Sequence, residues 1–565
     1  EAMAAGIPIV TTDVGCVGSF FRPQIDGRVV QPNDPVSLAA AIEEQIKETE
    51  RREWMRDQAL ERAKAFPSQN ELHEKQRAGW RGIITPSNSP LSQVGGQKIG
   101  SRFDAWVIGL IVLTIAIRAL SVALFHPSLL NREWGFFYLV QHWFQGYGYS
   151  YATELGCASA YRSPGYLFFL TALYSVFRPE NTLTQAIVQN VFVVAIIWLV
   201  YAVGKRLVGK RAALVGAFIM AVYPYTFYHY TQYYHTFLSS FFLLLIVWFV
   251  LRLAESKRKR DAIGAGLSIG ALAYVQGTIL VAAPFIVLWL FWKWKFDFKR
   301  TIVAAVLMTV FSAGLIAPWT YRNWKELHAF VPLTTDLGFG LYKANNENIY
   351  ELTKRGYPQE VVDDVVVSST NPDYVMYRLR PEIQAELERD GAFRDSYFWA
   401  NWHPKEPNSI ASTCKGLGPV NEVGFNDYWT ERANNWNQKT SLGERLKLHL
   451  LKLKTFWQPS LFPSVKTGAP WSFAGNPLKV WLARNAVTTA SAIVIFGGFI
   501  GLFISVRRRG KDVWLPLAIL IVYTLMHTFF AGYTKYRIPL DNLLAIYAGY
   551  TLIYFWDRIR GSDKS

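Results

Sequence analysis

The sequence predicts a mainly α, polytopic membrane protein with an external α-rich domain and a small N-terminal α/β fragment. Three observations predict it. Apolar stretches long enough to cross a bilayer recur from Phe103 onward, more than one globular core absorbs. Basic residues gather in the short loops between those stretches. Residues 1–84 have a different character, with a short buried-strand pattern followed by amphipathic helical periodicity.

Composition supports this division. The 565 residues are 51% hydrophobic, 15% aromatic and 18% charged, which excludes a disordered chain. Lys and Arg number 59 against 42 Asp and Glu, a net charge of +17. Because that excess lies between apolar spans, it sets topology and does not point to nucleic acid. Three cysteines are too few and too scattered for a zinc module or a disulfide scaffold. The chain opens at Glu1 inside a motif, so a fragment of a longer product is expected.

In the head, EAMAAGIPIVTTDVG reads as helix end, turn, strand and loop, and VSLAAAIEEQIKETERREWMRDQALERA reads as two helices. Residues 85–102 are rich in Ser, Pro and Gly and read as a linker. About ten spans follow, at 103–125, 184–204, 212–226, 235–253, 262–276, 278–293, 301–320, 481–506, 514–531 and 538–556. If the first runs outward, the clusters Lys205/Arg206/Lys210/Arg211, Lys257 to Arg260 and Arg507/Arg508/Arg509/Lys511 all fall inside, with both termini. That alternation requires 163–178 not to cross, as a helix lying in the outer interface or re-entering it.

The first external loop is then 126–183, within a membrane module 103–320. An external domain spans 321–480, and 481–565 holds the last spans and a cytoplasmic tail. Pro381 opens a helix that Gly391 stops, and Ser441/Glu444 form a capping box. In the capped helix Leu446, Leu450, Leu453 and Trp457 share one face, with Lys447, Lys452 and Lys454 elsewhere. This pattern suits a helix lying on the membrane surface. Gly266/Gly270 and Gly497/Gly501 suit close helix packing. Arg118, inside the first span, must snorkel or face protein.

The head resembles the C-terminal end of the donor domain of GT-B group 1 glycosyltransferases, through Glu1, Ala2, Met3, Ala4, Gly6, Pro8, Asp26, Gly27, Pro32, Asp34 and Pro35. The resemblance implies that Glu1 once held nucleotide-sugar ribose and that Gly15 and Gly18 let backbone N–H groups approach phosphate. The partner of Glu1 in the family's glutamate pair is absent, Ser19 replaces an acid, and the acceptor domain is missing. A vestigial Rossmann-like piece without activity in this chain is expected.

Residues from about 100 to 558 resemble GT-C glycosyltransferases of the protein-mannosyltransferase and lipid A aminoarabinose-transferase type. The resemblance is carried by the loop NREWGFFYLVQHWFQGYGYSYATELGCASAYRSPGY, by Pro318, Trp319, Arg322, Asn323, Phe330, Val331, Pro332, Asn345 and Asn346, by a return helix ending in Phe456-Trp457, and by His527, Tyr536, Arg537, Pro539 and Ala545. It implies inverting sugar transfer from a polyprenyl-phosphate donor to a lipid, glycan or protein acceptor, on the periplasmic or extracellular face of the plasma membrane. Cell-envelope glycoconjugate or polysaccharide synthesis is the implied setting. Two other readings stand beside it: a membrane-anchored group 1 nucleotide-sugar enzyme, and a non-enzymatic carrier of lipid-linked sugar.

Such transfer needs a carboxylate to take the acceptor proton and cations to offset the leaving phosphate. Glu133, the only acid between Asp104 and Glu154, stands near the family's acidic position and is the expected base, with Glu154 in reserve. A solvated glutamate at a helix start is the competing reading of Glu133. For the donor phosphate the expected cations are Arg162, then Arg537 with Lys535, then Arg322. Arg537 could equally be an anchor paired with Asp541, and Arg322 another anchor.

His235 stands where relatives often carry an acid and reads as a packing residue more readily than a metal ligand. Gln276-Gly277 replaces a common Arg-Pro. Tyr223, Tyr225, Tyr228, Tyr230, Tyr233 and Tyr234 read as an interfacial belt. A disulfide between Cys157 and Cys414 is compatible with an oxidising outer space, while Cys16 stays reduced. No cofactor is expected; a divalent metal is compatible with the chemistry, but no ligand set indicates one.

Overall fold

The chain divides into two units, Glu1–Ile99 and Gly100–Ser565. The computed structural model describes residues 7, 9–12, 25–30, 34–64, 101–125, 136–150, 159–177, 182–232, 234–345, 350, 422–460, 477–508, 510–530 and 534–560.

In the first unit β1 (Val10–Thr12) and β2 (Arg28–Val30) pair in parallel, Val10 opposite Arg28. Helix α1 (Pro35–Lys47) starts where the sequence says it should: Asp34 accepts the Ser37 N–H at 3.0 Å, and Pro35 needs no partner at the first helical position. Helix α2 (Thr49–Lys64) folds back so that Ala41 and Gln45 meet Met55 and Ala59, all buried.

The second unit is a helix bundle. Its elements are α3 (Ser101–Phe125), α4 (Phe136–Phe144), α5 (Pro164–Val176), α6 (Thr182–Leu207), α7 (Lys210–Ala221), α8 (Tyr225–His229), α9 (Thr236–Ser256) and α10 (Lys259–Val275). Next come α11 (Ala283–Lys293) and α12 (Phe298–Leu327), then α13 (Leu337–Ala344), α14 (Glu422–Lys439) and α15 (Leu442–Trp457). The last are α16 (Pro477–Arg508), α17 (Trp514–Phe529) and α18 (Ile538–Ile559).

Six described stretches are long and apolar enough to cross a membrane: Ala105–Leu124, Thr182–Leu207, Thr236–Ser256, Phe298–Leu327, Trp481–Arg508 and Gly510–Phe529. The four other expected spans form helices that fall short of that length or hydropathy. The 212–226 span ends at Ala221 and breaks into the short α8 around Pro224. The 278–293 span begins as a 3-10 turn, Gly277–Ala282, because Pro284 withholds an N–H where α11 starts. As expected, 163–178 contains one short helix, α5.

Helix α18 is the centre of the bundle, buried from Ile538 to Thr551 and packed on α16, α7 and α9. Glycines let it in. Gly501 and Gly549 lie against the Tyr547 and Ala212 carbonyls so closely that no Cβ fits, and a Cβ on Gly216 would stand 2.6 Å from the Ala545 carbonyl. The expected Gly266 contact is also present, against Met308 of α12. Arg118 faces protein: it is 2% exposed, donates to Thr226 Oγ1 at 2.8 Å, and lies 4.9 Å from the Phe227 ring.

Helix α15 corrects an expectation. Its capping box is present, yet Leu446 and Leu450 are exposed, while Leu448, Lys452 and Phe456 are buried against the protein. The exposed leucines leave one apolar side outward. A second, packed side includes Lys452.

Candidate active site

Arg162 is placed by three local features. Ser163 and Pro164 start α5, and Gly165 lets that start press on the end of α10, where a Cβ would stand 2.8 Å from Val275. Arg322, from the end of α12, donates to the Ser159 and Tyr149 carbonyls at 2.8 and 3.2 Å and so braces the segment that carries Arg162. The guanidinium of Arg162 lies over the Phe136 and Tyr161 rings, 5.5 and 5.2 Å from their centroids. Arg322 lies over Trp319. Its bonds to these loop carbonyls make Arg322 a brace for the loop.

At the end of α10, Gln276 bridges to α17. Its Oε1 accepts from Tyr523 at 2.7 Å, and its Nε2 lies 2.7 Å from His527 Nε2. His527 stacks on Tyr536, 5.1 Å between centroids. Lys535, in the 3-10 turn Thr534–Arg537, sits over the Tyr234 and Tyr536 rings at 5.1 and 5.4 Å. His235 stacks on Tyr234 and lies 3.3 Å from Ser239 Oγ, a packing arrangement. The charges of Arg162 and Lys535 both reach His235, so the two cations share one neighbourhood. Among the described residues no group of three His, Cys, Asp or Glu could hold a metal ion.

Arg537 makes the pair with Asp541 that its i, i+4 spacing offered. It is fully buried, and its Nε meets Asp541 at 2.9 Å. Its Nη1 donates to the Phe456 and Gln458 carbonyls, and its Nη2 to Ser491 Oγ at 3.0 Å. Hydrogen bonds to α15, α16 and α18 make it a clamp between helices. The tyrosine belt is also partly a core: Tyr223, Tyr225 and Tyr230 are buried and bond to Asp541, Thr534 and Ser240. Glu133, Glu154, Glu1, Gly15, Gly18, Tyr233 and the three cysteines lie outside the described residues, as does the 381–391 segment.

Two groups that the sequence reading missed come to this end of the bundle. Asp336, half-buried, follows a strap stapled to α12 by Trp319 Nε1 to the Leu333 carbonyl (2.7 Å) and Asn323 to the Val331 carbonyl (3.0 Å). Burial raises its carboxyl above the ordinary range, and the Thr334 hydroxyl and Arg162 partly offset this. Lys452, 2% exposed, donates to Asn345 Oδ1 at 2.9 Å and to the Phe530 carbonyl at 3.4 Å. Burial lowers its ammonium to about 7. The only signal for Lys452 was its i−4 spacing from Phe456; Asp336 carried none.

Residues 161–321, which hold Arg162, Tyr234, His235 and Gln276, match the family described as dolichyl-phosphate-mannose-protein mannosyltransferase. Residues 1–62 match the family described as glycosyl transferases group 1.

Among solved structures, the chain is similar to the archaeal oligosaccharyltransferase AglB from Archaeoglobus fulgidus, in complex with an inhibitory peptide and a dolichol-phosphate. The two are 14% identical over 82% of this chain and 52% of that one, with a TM-score of 0.45. It is also similar to ArnT from Cupriavidus metallidurans bound to undecaprenyl phosphate, 12% identical over 79% of this chain and 78% of that one, with a TM-score of 0.37. The chain spans about half the length of the oligosaccharyltransferase. No curated protein matches it.

Proposed function

We propose that this chain is a membrane glycosyltransferase that moves a sugar from a polyprenyl-phosphate donor to an acceptor hydroxyl at the outer face, with inversion. The observation that carries the reading is that Arg162 and Lys535, each seated on aromatic rings, both exert their charge on His235. A lipid-linked phosphate presents its charge at the interface, where such cations offset it as it leaves. The rings and the Gln276–His527 pair offer the sugar stacking and hydrogen bonds.

The base in this reading is Glu133, with Glu154 in reserve. Asp336 is excluded from that role by its place beside Arg162, since inversion needs the base on the face opposite the departing phosphate. The acceptor is a lipid, glycan or protein hydroxyl, and the setting is envelope glycoconjugate assembly in the plasma membrane.

Purified protein in lipid vesicles, offered labelled polyprenyl-phosphate sugars and nucleotide sugars side by side, tests the reading. Turnover from the lipid-linked donor alone, lost in Glu133→Gln, is expected. Turnover from the nucleotide sugar alone would move the activity to the group 1 half. Movement of lipid-linked sugar between leaflets without transfer would make the protein a carrier.

A further inference from the structure

Asp336 and Arg162 come from distant parts of the chain, yet their backbones are joined: the Thr335 N–H donates to the Ala160 carbonyl at 3.1 Å. One residue on from that bond stands a carboxylate, and two residues on from it a guanidinium. Neither is loosely held. Thr334 Oγ1 bonds to Asp336 Oδ1, the strap is stapled to α12, and Arg322 braces the loop of Arg162. The charge of Arg162 reaches Asp336, Tyr234 and His235.

A carboxylate beside a phosphate-binding cation is a cost during binding unless it serves a later step. The charge change in the reaction supplies that step. The donor is a phosphodiester with one negative charge. In transfer the bond from the anomeric carbon to the phosphate oxygen breaks, the phosphate keeps the electron pair, the acceptor oxygen bonds to that carbon, and its proton goes to the base. The spent lipid is a phosphomonoester carrying about −1.5 to −2 at neutral pH. Repulsion from a fixed carboxylate therefore rises at the moment the product must leave.

Resting on the donor reading above, we propose that Asp336 is a positioning residue that acts through Arg162: it is the counter-ion of the empty site, and it expels the spent polyprenyl phosphate by charge repulsion. The substrate class this selects is a singly charged phosphodiester lipid over its doubly charged monoester product.

The test is lipid binding to the full chain in vesicles, with undecaprenyl phosphate and its methyl phosphodiester as probes, for wild type, Asp336→Asn, Asp336→Glu, Arg162→Gln and the Asp336→Asn/Arg162→Gln pair. The expected result is that Asp336→Asn tightens the monoester about tenfold relative to the diester, the order of one added unit charge in a partly screened site. Asp336→Glu keeps the wild-type ratio, and the Asp336→Asn effect vanishes in the Arg162→Gln background. In turnover, Asp336→Asn lowers kcat without raising KM and becomes sensitive to added undecaprenyl phosphate.

Equal change for both lipids, or the same change with Arg162 absent, overturns the inference and leaves Asp336 a structural residue. Wild-type protein that transfers nothing from the lipid-linked donor instead overturns the donor reading, whatever the lipid ratio.

Discussion

The two ends of the bundle handle charge differently. At the end that carries the basic loops, cations meet carboxylates across neighbouring helices: Arg206 with Glu255 at 3.6 Å, Arg211 with Asp557 at 3.2 Å, Arg252 with Asp261 at 3.2 Å and Lys293 with Asp512 at 2.6 Å. At the other end the described ion pair is the fully buried Arg537–Asp541, and Arg162, Lys535 and Arg322 sit over rings. A ring face attracts a cation without cancelling its charge. The first end thus sets its cations against carboxylates, and the second sets them over rings.

The comparison breaks most visibly at Arg537. Replacing it with Met strands Asp541 without a counter-charge in a dry environment, which costs about 3–5 kcal/mol. Thermal unfolding of detergent-purified protein should lose its cooperative transition or shift far downward; a near-native transition would mean that the pair is not buried as described.

Lys452 gives a middle-sized effect with a definite sign. Its ammonium titrates near 7 when folded and near 10.5 in an open chain, so between those values the unfolded state binds more protons and stability rises with pH. From pH 7 to pH 9 the gain is about 2 kcal/mol. Lys452→Met should flatten that slope in unfolding curves taken across the range, and a slope unchanged in the variant would assign it to another group.

The smallest effects belong to the basic-loop end. Arg206→Ala and Arg211→Ala should each cost less than about 1 kcal/mol, because these pairs are largely exposed and screened by salt. A loss there as large as that at Arg537 would erase the contrast between the ends.

Much of this was legible in the sequence, for identifiable reasons. Apolar length gave the long helices, Asp34 and Ser441 gave their starts, and small residues gave the close crossings at Gly266 and Gly501. The i, i+4 spacing already offered Asp541 to Arg537. What it could not offer were the Phe456 and Gln458 carbonyls, which arrive from another helix through tertiary packing. The burial of Lys452 was not legible either, because its head finds two oxygens far along the chain. Asp336 was overlooked because its chemistry lies in a partner 174 positions away (336 − 162), a separation no local pattern spans.

The glycine contacts of α18 set a mechanical condition on any working cycle. With the Tyr547 carbonyl against Gly501 and the Ala212 carbonyl against Gly549, no clearance separates α18 from α16 or α7, and rotation would drive backbone into backbone. The helix is a stator. Any motion in a working cycle must therefore leave the α18 contacts with α16 and α7 in place.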